Sequence, residues 1–286
     1  MPSRYPFPAV PDDWFAVARS EEIVRGESRE LRCLDCALVA VRDPSGRVAV
    51  SRSRAGAGAA CGDELPAGEA NGFVYVWHHA GGAAPSYALA RYREDEAAWT
   101  PWRVSAHAVR VHVQDMTENI LDRAHFTSVH DMALPDQDHF HVRFEGASLV
   151  VDQVMKVTAL SAAGIEVRSR TTTNGPGLVA VEVKQGPLDM LTYITQTPID
   201  DERCDVRLHF SMRRLPDAAA TERIAELNER ITRAQFEQDI PIWEHKCYRA
   251  RPPLADGDGP VSEYRRWFAQ FYSTWRGDDR AAQETH

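Results

Sequence analysis

Ala147-Ser-Leu-Val-Val-Asp-Gln-Val-Met-Lys-Val157 opens the run of sequence that decides the fold. It is rich in β-branched and apolar residues and has no Pro or Gly inside it. Further strand-like runs follow at Gly164 to Thr173, Leu178 to Lys184, Leu188 to Thr197 and Cys204 to Arg213. Turn residues separate them, most clearly at Asn174-Gly-Pro-Gly177. Neighbouring strands joined by short turns predict one antiparallel sheet, spanning His141 to Arg214.

Working outward toward the C-terminus, Ala218 to His245 reads as one long helix. Ile224, Leu227, Ile231 and Ala234 recur at three and four residues, which predicts a buried face. Pro241 is expected to kink or interrupt the helix. A sheet packed on a single helix encloses a cavity suited to a small apolar molecule. Arg249 to Pro260 reads as a loop, and Val261 to Trp275 as a final aromatic-rich helix.

Toward the N-terminus, Gln114 to Val129 has helical spacing, and Gly81 to Pro85 reads as a linker. The first 80 residues carry short strands at Trp14 to Ala18, Glu30 to Cys33, Ala37 to Arg42, Arg47 to Val50 and Phe73 to His78. Asp43-Pro-Ser-Gly46 marks a hairpin turn. Ser51 to Gly68 has almost no large apolar residue and is expected to be a loop. The fold class is therefore α+β: an all-β domain over residues 1–85, and a sheet wrapping a long helix over 86–286.

Of 286 residues, 43% are hydrophobic and 26% charged, ordinary values for a globular protein. The net charge of −9 argues against a nucleic-acid partner, because no basic face dominates. No apolar run is long enough to span a bilayer. Met1 to Val10 has no apolar signal core, so a cytoplasmic location is expected. Five cysteines do not read as a disulfide framework. Cys33 and Cys36 form a lone C-x-x-C without a second pair, which argues against zinc or redox chemistry.

The chemistry concentrates in Glu118-Asn-Ile-Leu-Asp-Arg-Ala-His-Phe-Thr-Ser-Val-His130. Asp122, His125 and His130 lie within nine residues. Two imidazoles and a carboxylate form the facial triad that holds Fe(II) and leaves positions open for O2. Residues five apart lie about 140° apart around a regular helix. His125 and His130 can face one metal only if the helix ends or widens between them. The alternative is a polar helix with two surface histidines.

This segment resembles the mononuclear iron motif of the Rieske-type non-haem iron oxygenases, whose first position is Asn or Glu. The resemblance implies that His125 and His130 bind iron and that Asp122 is the bridge by which electrons arrive. It implies a third ligand far downstream, and Glu237-Gln-Asp-Ile-Pro-Ile-Trp-Glu-His-Lys246 matches that region with Asp239 as the ligand. The tail Arg265-Arg-Trp-Phe-Ala-Gln-Phe-Tyr272 is similar to the ketosteroid 9α-hydroxylase and cholesterol 7-desaturase branch. Asp13-Trp-Phe-Ala-Val-Ala-Arg19 and Gly72-Phe-Val-Tyr-Val-Trp-His-His79 resemble the opening and closing strands of a Rieske domain. The implied fold is a degenerate Rieske-like domain followed by a helix-grip catalytic domain. His78 and His79 lack the paired cysteines of a cluster and read as structural. His139 and His141 read as surface or pocket-rim residues.

One departure from the family is plain. A Rieske cluster needs C-x-H and C-x-x-H, and no Cys in this sequence is followed by His at the second or third position. The expectation is a mononuclear Fe(II) site with no 2Fe-2S cluster in this chain. Electrons would then come from a cluster-bearing paralogue in a trimer or hetero-hexamer, or from a Rieske ferredoxin or reductase. Three readings follow: an oxygenase component that uses O2 on a small apolar substrate, a non-catalytic subunit, or a binding protein or redox-neutral enzyme.

Overall fold

The computed structural model describes residues 4–53, 60–93, 95–132, 135, 137–157, 165–253 and 259–275. Its strands form three antiparallel sheets. β1 (Asp13–Arg19), β7 (Phe73–His78) and β6 (Ala67–Ala70) make the first, in that order. β2 (Ser28–Cys33), β3 (Cys36–Arg42), β4 (Val48–Ser53) and β5 (Ala60–Leu65) make the second. The third is seven-stranded, in the order β8-β14-β13-β12-β11-β10-β9. Its members are β8 (Arg103–Val109), β9 (His141–Glu145), β10 (Ser148–Val157), β11 (Ile165–Thr173), β12 (Leu178–Gln185), β13 (Leu188–Pro198) and β14 (Cys204–Met212).

Alternation along the strands stacks these sheets in layers. Phe15, Val17, Val74 and Val76 point to the β2–β5 sheet and cluster with Leu38, Ala40 and Val50. Trp14, Ala16, Phe73, Tyr75 and Trp77 point the other way, onto Leu178, Ala180, Leu191 and Tyr193 of the large sheet. The opposite face of the large sheet carries Val206, Leu208 and Phe210, in one cluster with Phe236 and Trp243 of the long helix α3 (Ala218–His245). Tyr5 and Phe7 join that cluster, beside Tyr264 and Phe268 of helix α4 (Val261–Phe268). The architecture is the expected α+β one, a small β sandwich and a sheet that grips one helix. Among the described residues, no helix is long and apolar enough to cross a membrane.

The β11–β12 turn ties the first sheet to the large one. Gly175 has φ +70°, and a Cβ there would meet the Asp13 carboxylate and the Tyr87 hydroxyl. Asp13 is fully buried and accepts hydrogen bonds from the Tyr87 hydroxyl and the Gly177 N–H. Burial pushes its carboxyl from 3.8 up to about 8, against the pull of those hydrogen bonds. The native state thus keeps a proton that the unfolded chain gives up between these values, so the stability this group contributes declines as pH rises across that window. An Asp13→Asn protein has no such proton. Its melting temperature relative to wild type is expected to climb between pH 4 and 8, the range bounded by those two values. A difference that stays flat with pH would contradict this account.

Several sequence expectations need correction. Ser51 to Gly68 is not a loop throughout: β4 runs to Ser53 and β5 and β6 follow, while residues 54–59 lie outside the described residues. Backbone pairing with β4 and β7 holds these strands, and Leu65, Ala67 and Ala70 add the few apolar contacts they make. Leu227 and Ile231 are 44% and 47% exposed and Ala234 is exposed too, so most of the expected stripe faces solvent, while Ile224 is half-buried against Met190, Met212 and Ala225. The buried face of α3 is Thr221, Ala225, Phe236, Asp239 and Trp243. Pro241 lies within α3 without ending it, on the exposed side, where the carbonyl it leaves unpaired can meet water. The last helix stops at Phe268 and continues only as a 3-10 turn to Phe271. Cys33 and Cys36 face each other across a two-residue hairpin turn, with Leu34 and Asp35 at φ 56° and 53°. Gly164 and residues 254–258 of the expected loop lie outside the described residues.

Candidate metal centre

The expected helix from Gln114 to Val129 is broken. Helix α1 (Val113–Glu118) passes into a 3-10 turn (Asn119–Leu121), and helix α2 (Ala124–Ser128) begins after Asp122. Asp122 Oδ1 accepts from the N–H groups of Ala124 (2.9 Å) and His125 (3.2 Å), which caps α2. At the other end, the N–H of His130 reaches back to the His125 carbonyl at 3.4 Å, a five-residue step, and Asp131 takes φ 52°. The helix widens and stops between the two histidines, which is the condition their spacing sets for facing one point.

Asp239, on the buried face of α3, meets them there. One ligand atom from each of His125, His130 and Asp239 lies within 4.8 Å of the others. His130 Nε2 is 3.5 Å from Asp239 Oδ1. The two imidazole planes cross at 78° with centroids 5.0 Å apart. Donor atoms that share one ion at about 2.1 Å cannot be more than about 4.2 Å apart. The trio is therefore within little more than half an ångström of coordination spacing.

The ring nitrogens that face away are engaged. His125 Nδ1–H donates to the Asp122 carbonyl. His130 Nδ1 is 2.9 Å from Gln238 Oε1. Each leaves Nε2 as the free lone pair, as metal-binding histidines require. Burial holds His125 below the usual imidazole range and pushes Asp239 up to about 6, with Asp122 adding to the rise and His130 opposing it. An imidazole that burial keeps uncharged at His125 and a carboxylate that resists standing alone as an anion make a site that gains by taking in a cation. The donor set of two imidazoles and one carboxylate suits a non-haem Fe(II) ion.

Glu118, the first position of the motif, does not reach the trio. Its carboxylate accepts from Arg265 Nε (2.7 Å) and Nη2 (3.1 Å) and from Lys246 Nζ (3.2 Å). Asp122 is half-buried, and its carboxylate bonds to backbone rather than to a ring. His78 Nδ1 donates to the Pro11 carbonyl at 3.0 Å, and His79 Nδ1 accepts from the Gly81 N–H at 3.0 Å, both away from the trio. His139 and His141 are exposed. Gln238 was not singled out by the sequence; only its place beside Asp239 hints at it.

A family model described as the 3-ketosteroid 9alpha-hydroxylase C-terminal domain matches residues 76–272. A probable 3-ketosteroid-9-alpha-monooxygenase oxygenase component from Rhodococcus rhodochrous is 27% identical over 226 residues, covering 72% of this chain and 56% of its own. A cholesterol 7-desaturase nvd from Hemicentrotus pulcherrimus is 30% identical over 238 residues, covering 72% of this chain and 48% of its own. The chain thus spans about half the length of the curated relatives it matches. Among solved structures, dicamba monooxygenase bound to dicamba superposes with a TM-score of 0.67 at 15% identity, covering 92% of this chain and 97% of that one. The NdmA QL mutant of Pseudomonas putida CBB5 with theobromine gives 0.64 at 14% identity, covering 90% and 89%. The matched family model and the shared fold show that this chain belongs to the 3-ketosteroid 9alpha-hydroxylase C-terminal domain family, a branch of the Rieske-type oxygenase alpha subunits.

Proposed function

We propose that this chain is an oxygenase component that oxidises a small apolar substrate at a mononuclear Fe(II) centre, with electrons delivered by a separate Rieske-cluster-bearing protein. The observation that carries this reading is the His125, His130 and Asp239 trio in a chain with no Cys-x-His pair. Bound iron would supply the O2 chemistry. The residues of the chain hold, orient and shield. His125 and His130 present Nε2 lone pairs, Asp239 brings negative charge, and Phe126, whose ring centroid is 4.5 Å from that of His125, walls the site. Asp122 is the proposed point of electron entry, because its carbonyl accepts from a ring of the trio and its side chain is half-buried. The donor is a paralogue in a trimer or hetero-hexamer, or a Rieske ferredoxin or reductase. We retain the division into residues 1–85 and 86–286.

The sheet face turned toward α3 supports an apolar substrate with one oxygen function. Gln153, Ser169, Val183 and Met190 pair in one row across four strands, and Met190 clusters with Ala225 of α3. Thr171, Val181 and Thr192 form the next row. These rows mix the apolar Val181, Val183 and Met190 with the polar Gln153, Ser169, Thr171 and Thr192, and among the described residues Ser169 Oγ is buried without a hydrogen-bond partner, an arrangement that a substrate hydroxyl or carbonyl would complete. The relatives named for ketosteroid and cholesterol chemistry make a rigid polycycle the first class to test.

The test is metal analysis and reconstitution. Purified protein should hold iron, show no visible Rieske absorption, and turn over only when a cluster-bearing partner is added. Protein free of iron after Fe(II) loading would end this reading. The absent cluster motif also supports a second reading, a non-catalytic subunit of a mixed oxygenase. It predicts that partner-supported activity of the complex is indifferent to Asp239.

A further inference from the structure

We propose that Gln238 is the positioning residue of this centre, an acceptor that fixes the tautomer and ring orientation of His130. The inference rests on reading His125, His130 and Asp239 as a ligand set, and it concerns what makes His130 able to serve in it. A neutral imidazole carries one proton on two nitrogens, and the protonated nitrogen cannot bind a metal. His130 Nδ1 lies 2.9 Å from Gln238 Oε1. An amide oxygen only accepts, so the proton sits on Nδ1 and the lone pair on Nε2, which faces Asp239 Oδ1 at 3.5 Å. With the amide turned round, its NH2 would donate to Nδ1. The proton would then sit on Nε2 and be shared with Asp239, closing the site to a cation.

Gln238 and Asp239 are successive residues of α3, about 100° apart around its axis. They grasp the His130 ring from its two nitrogen edges. His125 has the same kind of support from a different source, the Asp122 carbonyl. That acceptor is backbone and no substitution removes it. The support of His130 is a side chain, so Gln238 is where the centre can be tuned. The His130 side chain is 5% exposed while Gln238 is on the surface. Changing Gln238 therefore leaves the packing around the trio intact.

The experiment uses the full chain with Co(II) as the probe. Gln238→Leu removes the acceptor, and Gln238→Glu keeps an acceptor of the same length that cannot donate. Loss of an outer hydrogen bond to a metal-bound histidine typically costs about 10- to 100-fold in affinity. That loss is expected for Gln238→Leu, while Gln238→Glu binds Co(II) at least as tightly as wild type. In proton NMR of the Co(II) protein, two shifted exchangeable signals are expected from the two Nδ1–H groups. Gln238→Leu should lose or broaden one of them, and Gln238→Glu should restore it. Wild-type affinity and both signals in Gln238→Leu would overturn the proposal. His125→Ala is the control. If it too leaves Co(II) binding unchanged, the ligand set itself is wrong and the role of Gln238 falls with it. If it abolishes binding while Gln238→Leu does not, only the role of Gln238 falls.

Discussion

Replacing Asp239 by alanine is expected to lower Fe(II) affinity by about 100-fold or more, since losing an outer-shell partner alone costs about 10- to 100-fold. The variant keeps both imidazoles but loses the one carboxylate of the trio. In the wild-type chain, burial pushes the Asp239 carboxyl up to about 6, because a lone anion there is poorly solvated. A cation between Asp239 and the histidines supplies the missing counter-charge. Removing the carboxylate also removes an anion that burial disfavours, so the metal-free variant should unfold no more easily than metal-free wild type. The contrast appears on adding Fe(II) or Co(II). Ligand that binds only the native state stabilises it by about 2.7 kcal/mol at 100 times the dissociation constant. Wild type should therefore show a metal-dependent rise in melting temperature that Asp239→Ala lacks. An equal rise in both proteins would mean that metal binds elsewhere. The same variant separates the two functional readings: partner-supported turnover vanishes if this chain oxidises substrate and persists if it is a scaffold.

The convergence of His125 and His130 was legible because their spacing sets a geometric condition. Two histidines five apart can converge only where a helix fails, and the structure places the widened end of α2 between them. The strands from β10 to β14 were legible because β-branched runs alternate with turn residues. α3 was legible as a helix but not in its orientation. Ile224, Leu227 and Ile231 repeat at helical spacing, and so do Ala225, Phe236 and Trp243. Both sets satisfy the period, and periodicity alone does not rank two stripes of one helix. The buried set contains Thr221 and Asp239, polar residues that mask it as a core face. β8 went unread because its inward positions carry Arg103, Ser105 and His107 ahead of Val109, so no apolar alternation marks it, and it is held by pairing to β14. The Gln238 contact depends on two segments more than a hundred residues apart meeting in space, and no local pattern encodes that.

Glu118→Ala is expected to cost about 3 kcal/mol of stability, the low end of what stranding one member of a buried ion pair costs. Glu118 and Arg265 are 10% and 13% exposed at their side chains. Burial alone would raise the Glu118 carboxyl, but Arg265 and Lys246 outweigh it and hold it below the usual range. Loss of the carboxylate leaves the Arg265 guanidinium with the Arg249 carbonyl at 2.6 Å, the Tyr248 ring at 4.8 Å and the more distant charge of Asp115. Lys246 is 31% exposed and can turn to water or to Asp115 at 3.7 Å, which is why the low end applies. For a chain of this size the loss corresponds to a fall in melting temperature of roughly 5–10 °C. A depressed carboxyl stabilises above its unfolded value and ceases to do so as pH falls through its folded one, so the gap between wild type and Glu118→Gln should close on acidification. The lock also matters for the centre. Glu118 ends α1, which leads into Asp122 and His125, and Lys246 directly follows the helix that carries Asp239. The carboxylate thus ties the two ligand-bearing segments to α4, and metal affinity should weaken in Glu118→Ala though no ligand has changed. A Glu118→Leu, Arg265→Leu double variant separates the causes. If stranded charge drives the loss, the double variant recovers stability that Glu118→Ala lacks, while metal affinity stays low because the tie is still cut.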